Sequence, residues 1–390
     1  MVETTKEKEL NGNLLLFSMF ALETVYLYSA SSATLIICGV LGIITFLYAH
    51  KYNSFLLRVM ICLAVWIVVL VSINRLLVLN CSWRGCLRIS FISLPIAYLL
   101  CDVHINRYVA LSFFYVVFIY TAIMILLADP AELYRIFVAS SRNYISVLLI
   151  ACMFPYYLAC ERDHVEVSVF PALLSLTASI YVQSRGGMIA SGLLVFFSFI
   201  REIYLGIAKD SFKNKKNLIR FIIAVVILFG IVLFTFDNSA ENLSRFSTTK
   251  EPEYPVTRLD MWKEYITVTG SSVSNIVLGP PLTTCPFIMS EAYNSHNSYF
   301  MTHSYMGIAG FFAVIIGGVG YLVLCIKKKQ YNLLFLSITF LLRATTDYLF
   351  PMLFCDCIIL LMIIETGIVI TEEVYEYKER KMLNNSNPCV

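Results

Sequence analysis

The feature that most constrains this chain is a recurring one: apolar blocks of roughly 20 residues, nearly free of charge, follow one another along its length. Wound as a helix rising 1.5 Å per residue, such a block crosses the ~30 Å hydrocarbon core of a bilayer. In lipid each segment must satisfy its own backbone hydrogen bonds, so repeated blocks of this kind are helices. Composition agrees: 59% of the 390 residues are apolar and 14% charged. Soluble domains hold roughly 45–50% and 25%, so too few charges are present to clothe a water-facing surface.

The expected fold is an all-α polytopic integral membrane protein, one membrane domain over residues 1–390. About twelve spans are expected: Asn13–Ala30, Ser32–Ala49, Val59–Leu79, Leu87–Cys101, Tyr108–Ala128, Tyr144–Cys160, Val167–Val182, Met188–Ile207, Leu218–Phe236, Ser304–Ile326, Leu333–Tyr348 and Leu353–Ile370. Pro95, Pro155 and Pro171 fall inside spans, where a missing N–H favours a kink. The start, Met1 to Leu10, is polar and shows no cleavable signal, so the first span is the expected targeting element.

Cationic residues cluster at Lys209, Lys213, Lys215 and Lys216, at Lys327–Lys329, and at Lys378, Arg380 and Lys381. Placed on the cytoplasmic side, they put both termini inside and the long stretch from Asp237 to His303 outside. That stretch contains no span, and a long ordered loop in a tightly connected membrane protein usually carries function. The outer segment Asn74–Arg88 runs against the charge trend, with Arg75, Arg84 and Arg88. Its Cys81 and Cys86 suit either a disulfide in an oxidising exterior or two separate thiols. The twelve cysteines lie mostly in apolar runs, without CxxC or Cys/His spacing, so no metal site is expected. Neither a cofactor nor a nucleic-acid partner is expected.

Four polar features lie toward the outer face. Gln183-Ser184-Arg185-Gly186-Gly187 places an arginine fork beside glycines that let a head group approach the backbone; a helix-end arginine reaching for lipid phosphate has the same pattern. On Val256–Val268, Arg258 and Trp262 are four apart and share a helix face, which suits a phosphate and a stacked sugar, or an interfacial helix with an anchoring tryptophan. His296-Asn297-Ser298-Tyr299 precedes His303, Gly307 and Gly310; it suits a base for a sugar hydroxyl, or a polar helix start capped by Asn294 or Ser295 before a glycine packing face. Arg343 and Asp347 are spaced for an ion pair within one helix. Arginines and a histidine without an acidic metal cage suit transfer from a lipid diphosphate, whose departing charge fixed cations can stabilise.

His296-Asn297, nine residues, Gly307, two residues, Gly310 resembles the signature of the O-antigen ligase/polymerase superfamily. Ser184-Arg185-Gly186 resembles that family's Ser-Arg-Gly segment. Arg258 to Trp262 and Leu278-Gly279-Pro280 resemble its large periplasmic loop, and Leu342-Arg343 to Asp347 its late-span arginine. The likeness covers Val167 to Ile370; before that only hydropathy agrees. Gly279-Pro280-Pro281 departs from the more usual Gly-x-Gly.

The resemblance implies a GT-C-like glycosyltransferase of the bacterial inner membrane, with its active site facing the periplasm. Its donor would be a glycan on undecaprenyl pyrophosphate and its acceptor a second lipid-linked glycan, with a chain-length regulator as a further partner. The implied reaction is metal-independent and inverts the anomeric centre. His296 would act as base, and Arg185 and Arg343 would hold the pyrophosphate. Arg258, Trp262 and Asn297 would contact phosphate or sugar. A Wzy-type repeat-unit polymerase is the first reading, and a WaaL-type ligase that moves the chain to lipid A-core the second. A flippase of lipid-linked sugars and a purely structural membrane protein are the readings from other classes.

Overall fold

The structure is a computed structural model; it describes residues 2–128, 136–137, 143–208, 213–237, 257–290 and 294–386. Helices dominate, and no strand occurs among the described residues. In chain order they are α1 (Val2–Ser29), α2 (Ser32–Tyr52), α3 (Ser54–Leu77), α4 (Trp83–Asp102), α5 (Arg107–Leu127), α6 (Tyr144–Arg162), α7 (Phe170–Tyr181) and α8 (Arg185–Ala208). Then follow α9 (Lys215–Asp237), the short α10 (Arg258–Gly270), α11 (Val273–Leu278) and α12 (Pro286–Ser290), and the long α13 (Ser298–Lys327), α14 (Tyr331–Thr346) and α15 (Asp356–Ser386).

Each of the twelve expected spans falls on a helix, and among the described residues eight helices are long and apolar enough to cross a membrane: α1–α6, α8 and α13. Their outward faces show what surrounds them. Ile61, Val65, Val69 and Leu76 of α3 are exposed, as are Val116, Ile119, Ile123 and Leu126 of α5. Monomeric soluble proteins do not leave rows of this size to water, whereas hydrocarbon covers them at no cost.

Some boundaries differ from the hydropathy reading. The seventh span shrinks to the 12-residue α7, which begins at Phe170. Pro171 therefore stands in its first turn, where no N–H is needed. Pro95 likewise opens the regular part of α4, just after a π-helical stretch at Ile89–Ser93. Pro155 alone lies inside a helix, α6. Helix α6 is the centre of the bundle: every residue from Tyr144 to Cys160 is buried. One apolar core runs through α1–α9 and α13–α15, and a smaller one (Met261, Tyr265, Leu282, Cys285, Ile288, Met301) lies beneath α10–α12.

The stretch expected to form the outer loop, Asp237–His303, lies partly outside the described residues; its described part contains short helices, and it ends earlier than hydropathy indicates, because α13 starts at Ser298 and takes His303 into its second turn. Cys81 and Cys86 are free buried thiols, and Cys81 donates to Tyr305 O at 3.0 Å. Arg88 is not an outer-loop charge. It is largely withdrawn from solvent in a salt bridge with buried Glu23 of α1, which accounts for an arginine on the wrong side of the charge pattern.

Candidate functional site

The first turn of α13, the last turn of α14, the start of α8 and α10 meet at one end of the bundle. Helix ends leave backbone groups without partners, and here neighbouring elements supply them. Asn297 caps α13: its Oδ1 accepts from Tyr299 N at 3.0 Å and Phe300 N at 3.1 Å. Its Nδ2 donates to Thr345 O of α14 at 3.1 Å. Arg258 Nη1 donates to Thr346 O. Ser298 Oγ donates to Asp347 O at 2.8 Å and accepts from Leu349 N at 2.8 Å. The open carbonyls of α14 are thus bound by residues from α10 and α13.

His296 sits at the centre of this junction, half-buried, just before the helix cap. Its φ is +49°, in the left-handed region, which costs a residue with a Cβ about 1–3 kcal/mol unless its surroundings impose it. The surroundings do. Asn294 Oδ1 accepts from His296 N at 2.8 Å, the Trp262 indole N–H donates to Ser295 O at 2.9 Å, and Ser295 Oγ donates to Asn297 O at 3.2 Å. The imidazole Nδ1 stands 3.6 Å from Asp347 Oδ1. Asp347, just beyond α14, also takes a 2.7 Å salt bridge from Arg343 Nη2. Burial alone would raise the Asp347 pKa; the His296 imidazole and the Arg343 and Arg258 guanidinium groups outweigh it and hold the carboxyl well below the usual range. Asp347 is therefore a fixed negative charge behind the imidazole.

Arg343 lies deeper, only 3% exposed. Its fork donates to Asp347, to Thr346 Oγ1 at 3.1 Å and to Asn143 O at 3.4 Å. Its flank presses on Gly186: a Cβ there would come within 2.7 Å of Arg343 Nη1. The glycine of the Ser-Arg-Gly segment thus makes room for the arginine of α14. Arg185 beside it is exposed at the first turn of α8.

These contacts redistribute the roles read from sequence. The structure brings His296, Asn297, Arg258, Trp262, Arg343 and the Arg185 turn to one end of the molecule. Asn297 caps α13, Trp262 holds the His296 turn, and the two terminal nitrogens of Arg343 bind protein partners, so each of the three helps to position the site. A substrate contact by Asn297 or by the bonded part of the Arg343 fork would compete with those bonds. The cap is Asn297, not Asn294 or Ser295. His303 is apart from the site: Ile276 O can only accept, so His303 Nε2 donates to it at 2.8 Å, leaving Nδ1 to accept from Tyr265 at 2.8 Å.

Three braces were invisible in the sequence reading. Asp347 was legible as a partner for Arg343 but not for His296. Asn74 and Asn80 both donate to Ser304 O, at 2.7 and 3.0 Å, where α13 leaves helical geometry at Gly307 (φ +65°). At Gly307 a Cβ would meet Val277 O at 2.5 Å, and at Gly279 (φ +83°) it would meet His303 O at 2.3 Å, so these two glycines let α11 lie directly on α13. Asparagines at the end of an apolar run were the available signal. Among the described residues no group of three or more His, Cys, Asp or Glu is placed to hold a metal ion.

Comparison with known proteins returns no matching family model, no matching curated protein and no matching solved structure. What the site does is therefore argued from its own chemistry.

Proposed function

We propose that the protein is a membrane glycosyltransferase that extends a surface polysaccharide by moving a growing glycan from undecaprenyl pyrophosphate onto the next lipid-linked repeat unit. The observation that carries this reading is His296: a partly open imidazole, held in a constrained turn, backed by the buried carboxylate of Asp347 and neighboured by Arg258 and the exposed Arg185. In the proposed reaction the Asp347 carboxylate, 3.6 Å from Nδ1, favours the tautomer with its proton on that nitrogen, and Nε2 acts as the base. The acceptor hydroxyl gives its proton to Nε2 as its oxygen attacks the anomeric carbon from the face opposite the leaving group. The bond from that carbon to the phosphate oxygen breaks, and the pyrophosphate leaves with the electron pair. Arg185 and Arg258 stabilise its growing charge. Displacement from the opposite face inverts the anomeric centre.

The same reading carries the twelve-span, GT-C-like topology: α9, α14 and α15 cross alongside the eight longer helices, the short α7 enters the bilayer part-way as the twelfth, and the site opens to the periplasm of a bacterial inner membrane. It also carries the sequence resemblance to the O-antigen ligase/polymerase superfamily. The deciding experiment is a chromosomal deletion with the surface glycan resolved on a gel. Loss of the polymerase leaves core capped by a single repeat unit. Bare core would instead identify the ligase, and an unchanged ladder would sink both assignments.

A further inference from the structure

A cavity of about 640 Å³ with both charged and apolar walls lies at the end of the bundle remote from His296. Helix α8 connects the two. Gly186 touches the Arg343 cluster and Glu202 lines the cavity, so they are separated by about 24 Å along the helix axis, most of the thickness of a hydrocarbon core. Helix α6 runs the same course, from Tyr144, whose hydroxyl meets Leu349 O, to Cys160 in the cavity wall.

The recess exists because α7 is short. Twelve residues rise only about 18 Å, against ~30 Å for a full crossing. The chain from His164 to Val169 descends to reach its start and leaves a hollow between α5, α7 and α9. Tyr156 Oη accepts from Ser168 N at 3.0 Å and fixes that descent.

The lining is of two kinds. Leu111, Tyr115, Phe170 and Phe221 form an apolar wall between helices whose outward faces are apolar. Arg107 and Arg220 bring two cations, and Glu166 and Glu202 two carboxylates. Arg107 donates to Tyr108 Oη at 2.7 Å and lies 4.7 Å from that ring's centroid, which fixes its stem without consuming the rest of the fork. A purely anionic ligand would be drawn to the arginines but repelled by half-buried Glu202. A ligand carrying a phosphodiester and a primary ammonium satisfies both signs.

We propose that this cavity is a binding site for the headgroup of a zwitterionic aminophospholipid of the leaflet opposite the His296 site. Its phosphate sits between Arg107 and Arg220, and its ammonium is held by Glu166 and Glu202. The apolar wall receives the first part of the acyl chains, which favours a lipid over a soluble phosphate ester. A choline headgroup fits less well because a quaternary ammonium has no hydrogen to donate to a carboxylate.

Native mass spectrometry of the full-length protein in detergent tests this. The protein is equilibrated with an equimolar mixture of phosphatidylethanolamine, phosphatidylcholine and phosphatidylglycerol carrying identical acyl chains. The expected result is preferential retention of phosphatidylethanolamine. Arg107→Ala with Arg220→Ala should weaken it by about tenfold or more, as expected for lost charge-assisted hydrogen bonds. Glu202→Gln is a milder change that tests the other half of the site; it should reverse the preference toward phosphatidylglycerol. Equal retention of all three lipids, undiminished phosphatidylethanolamine in the arginine variant, or unchanged selectivity in Glu202→Gln would each overturn the proposal. So would displacement of the lipid by free glycerophosphoethanolamine at equal concentration, which would make the site one for soluble esters.

Discussion

Among the described residues two arginine–carboxylate pairs lie largely out of solvent, and they are built for different ends. Arg343 and Asp347 lie where α14 ends, with half-buried His296 on the carboxylate's second oxygen and exposed Arg185 close by. Arg88 and Glu23 lie between α4 and α1, the carboxylate buried and the arginine largely so, with buried Asp356 of α15 nearby and the arginine packed over the Tyr26 ring at 5.1 Å. The first pair presents a titratable ring to its surroundings. The second presents nothing; it ties helices together. A buried ion pair is therefore not by itself a mark of chemistry. What distinguishes the site is a reactive side chain that the pair orients and leaves reachable.

The largest effect that would break this contrast lies at Arg185. Arg185→Ala should abolish glycan transfer at normal protein level, and Arg185→Lys should retain a little, since a point charge replaces the fork's charge but not its geometry. In vitro transfer from a synthetic undecaprenyl-pyrophosphate donor measures it, and full activity in the alanine variant would reduce Arg185 to a lipid anchor. Next comes His296→Ala, expected to slow single-turnover transfer by about 10²–10⁴ while donor binding holds. Loss of donor binding in step with the rate would make His296 a ligand instead of a base.

The sealed pair should fail in stability. Glu23→Ala strands the Arg88 charge in the core and should cost about 3–5 kcal/mol, read by thermal unfolding in detergent. Replacing both partners, Glu23→Leu with Arg88→Met, should recover most of it. If Glu23→Ala melts like the wild type, the tie is not structural. A smaller effect is expected at His303, whose two ring nitrogens bind Tyr265 and Ile276. His303→Ala should lower stability by about 1–3 kcal/mol through the stranded groups, with turnover nearly unchanged. A rate loss as large as that of His296→Ala would mean that the wrong histidine has been assigned.

The smallest effect is one of pH. Asp347 is held below its unfolded value of about 3.9, so its contribution to stability is complete above that value and declines as pH falls through the folded one. The stability gap between wild type and Asp347→Asn should stay constant from about pH 5 upward and narrow only in stronger acid. A gap that narrows between neutrality and pH 5 would show that the pair's strength depends on another titrating group.

The sequence by itself determined the helices, their order and their apolar outer faces. Those properties depend on runs of neighbours, and a run of some 20 apolar residues has one stable form in lipid. It also exposed the polar segments around Arg185, Arg258, His296 and Arg343, because charges are conspicuous in so apolar a chain. It did not assign them. Whether Asn297 touches a sugar or caps a helix depends on where α14 ends, and whether Arg343 is open depends on how closely α8 approaches at Gly186. Arg88 looked like a misplaced outer charge until Glu23, far away in the chain, was found against it. Only the tertiary structure decided these matters: a side chain's role depends on which partners reach it within about 3 Å, and in a helical bundle those partners come from distant segments with no local pattern to announce them.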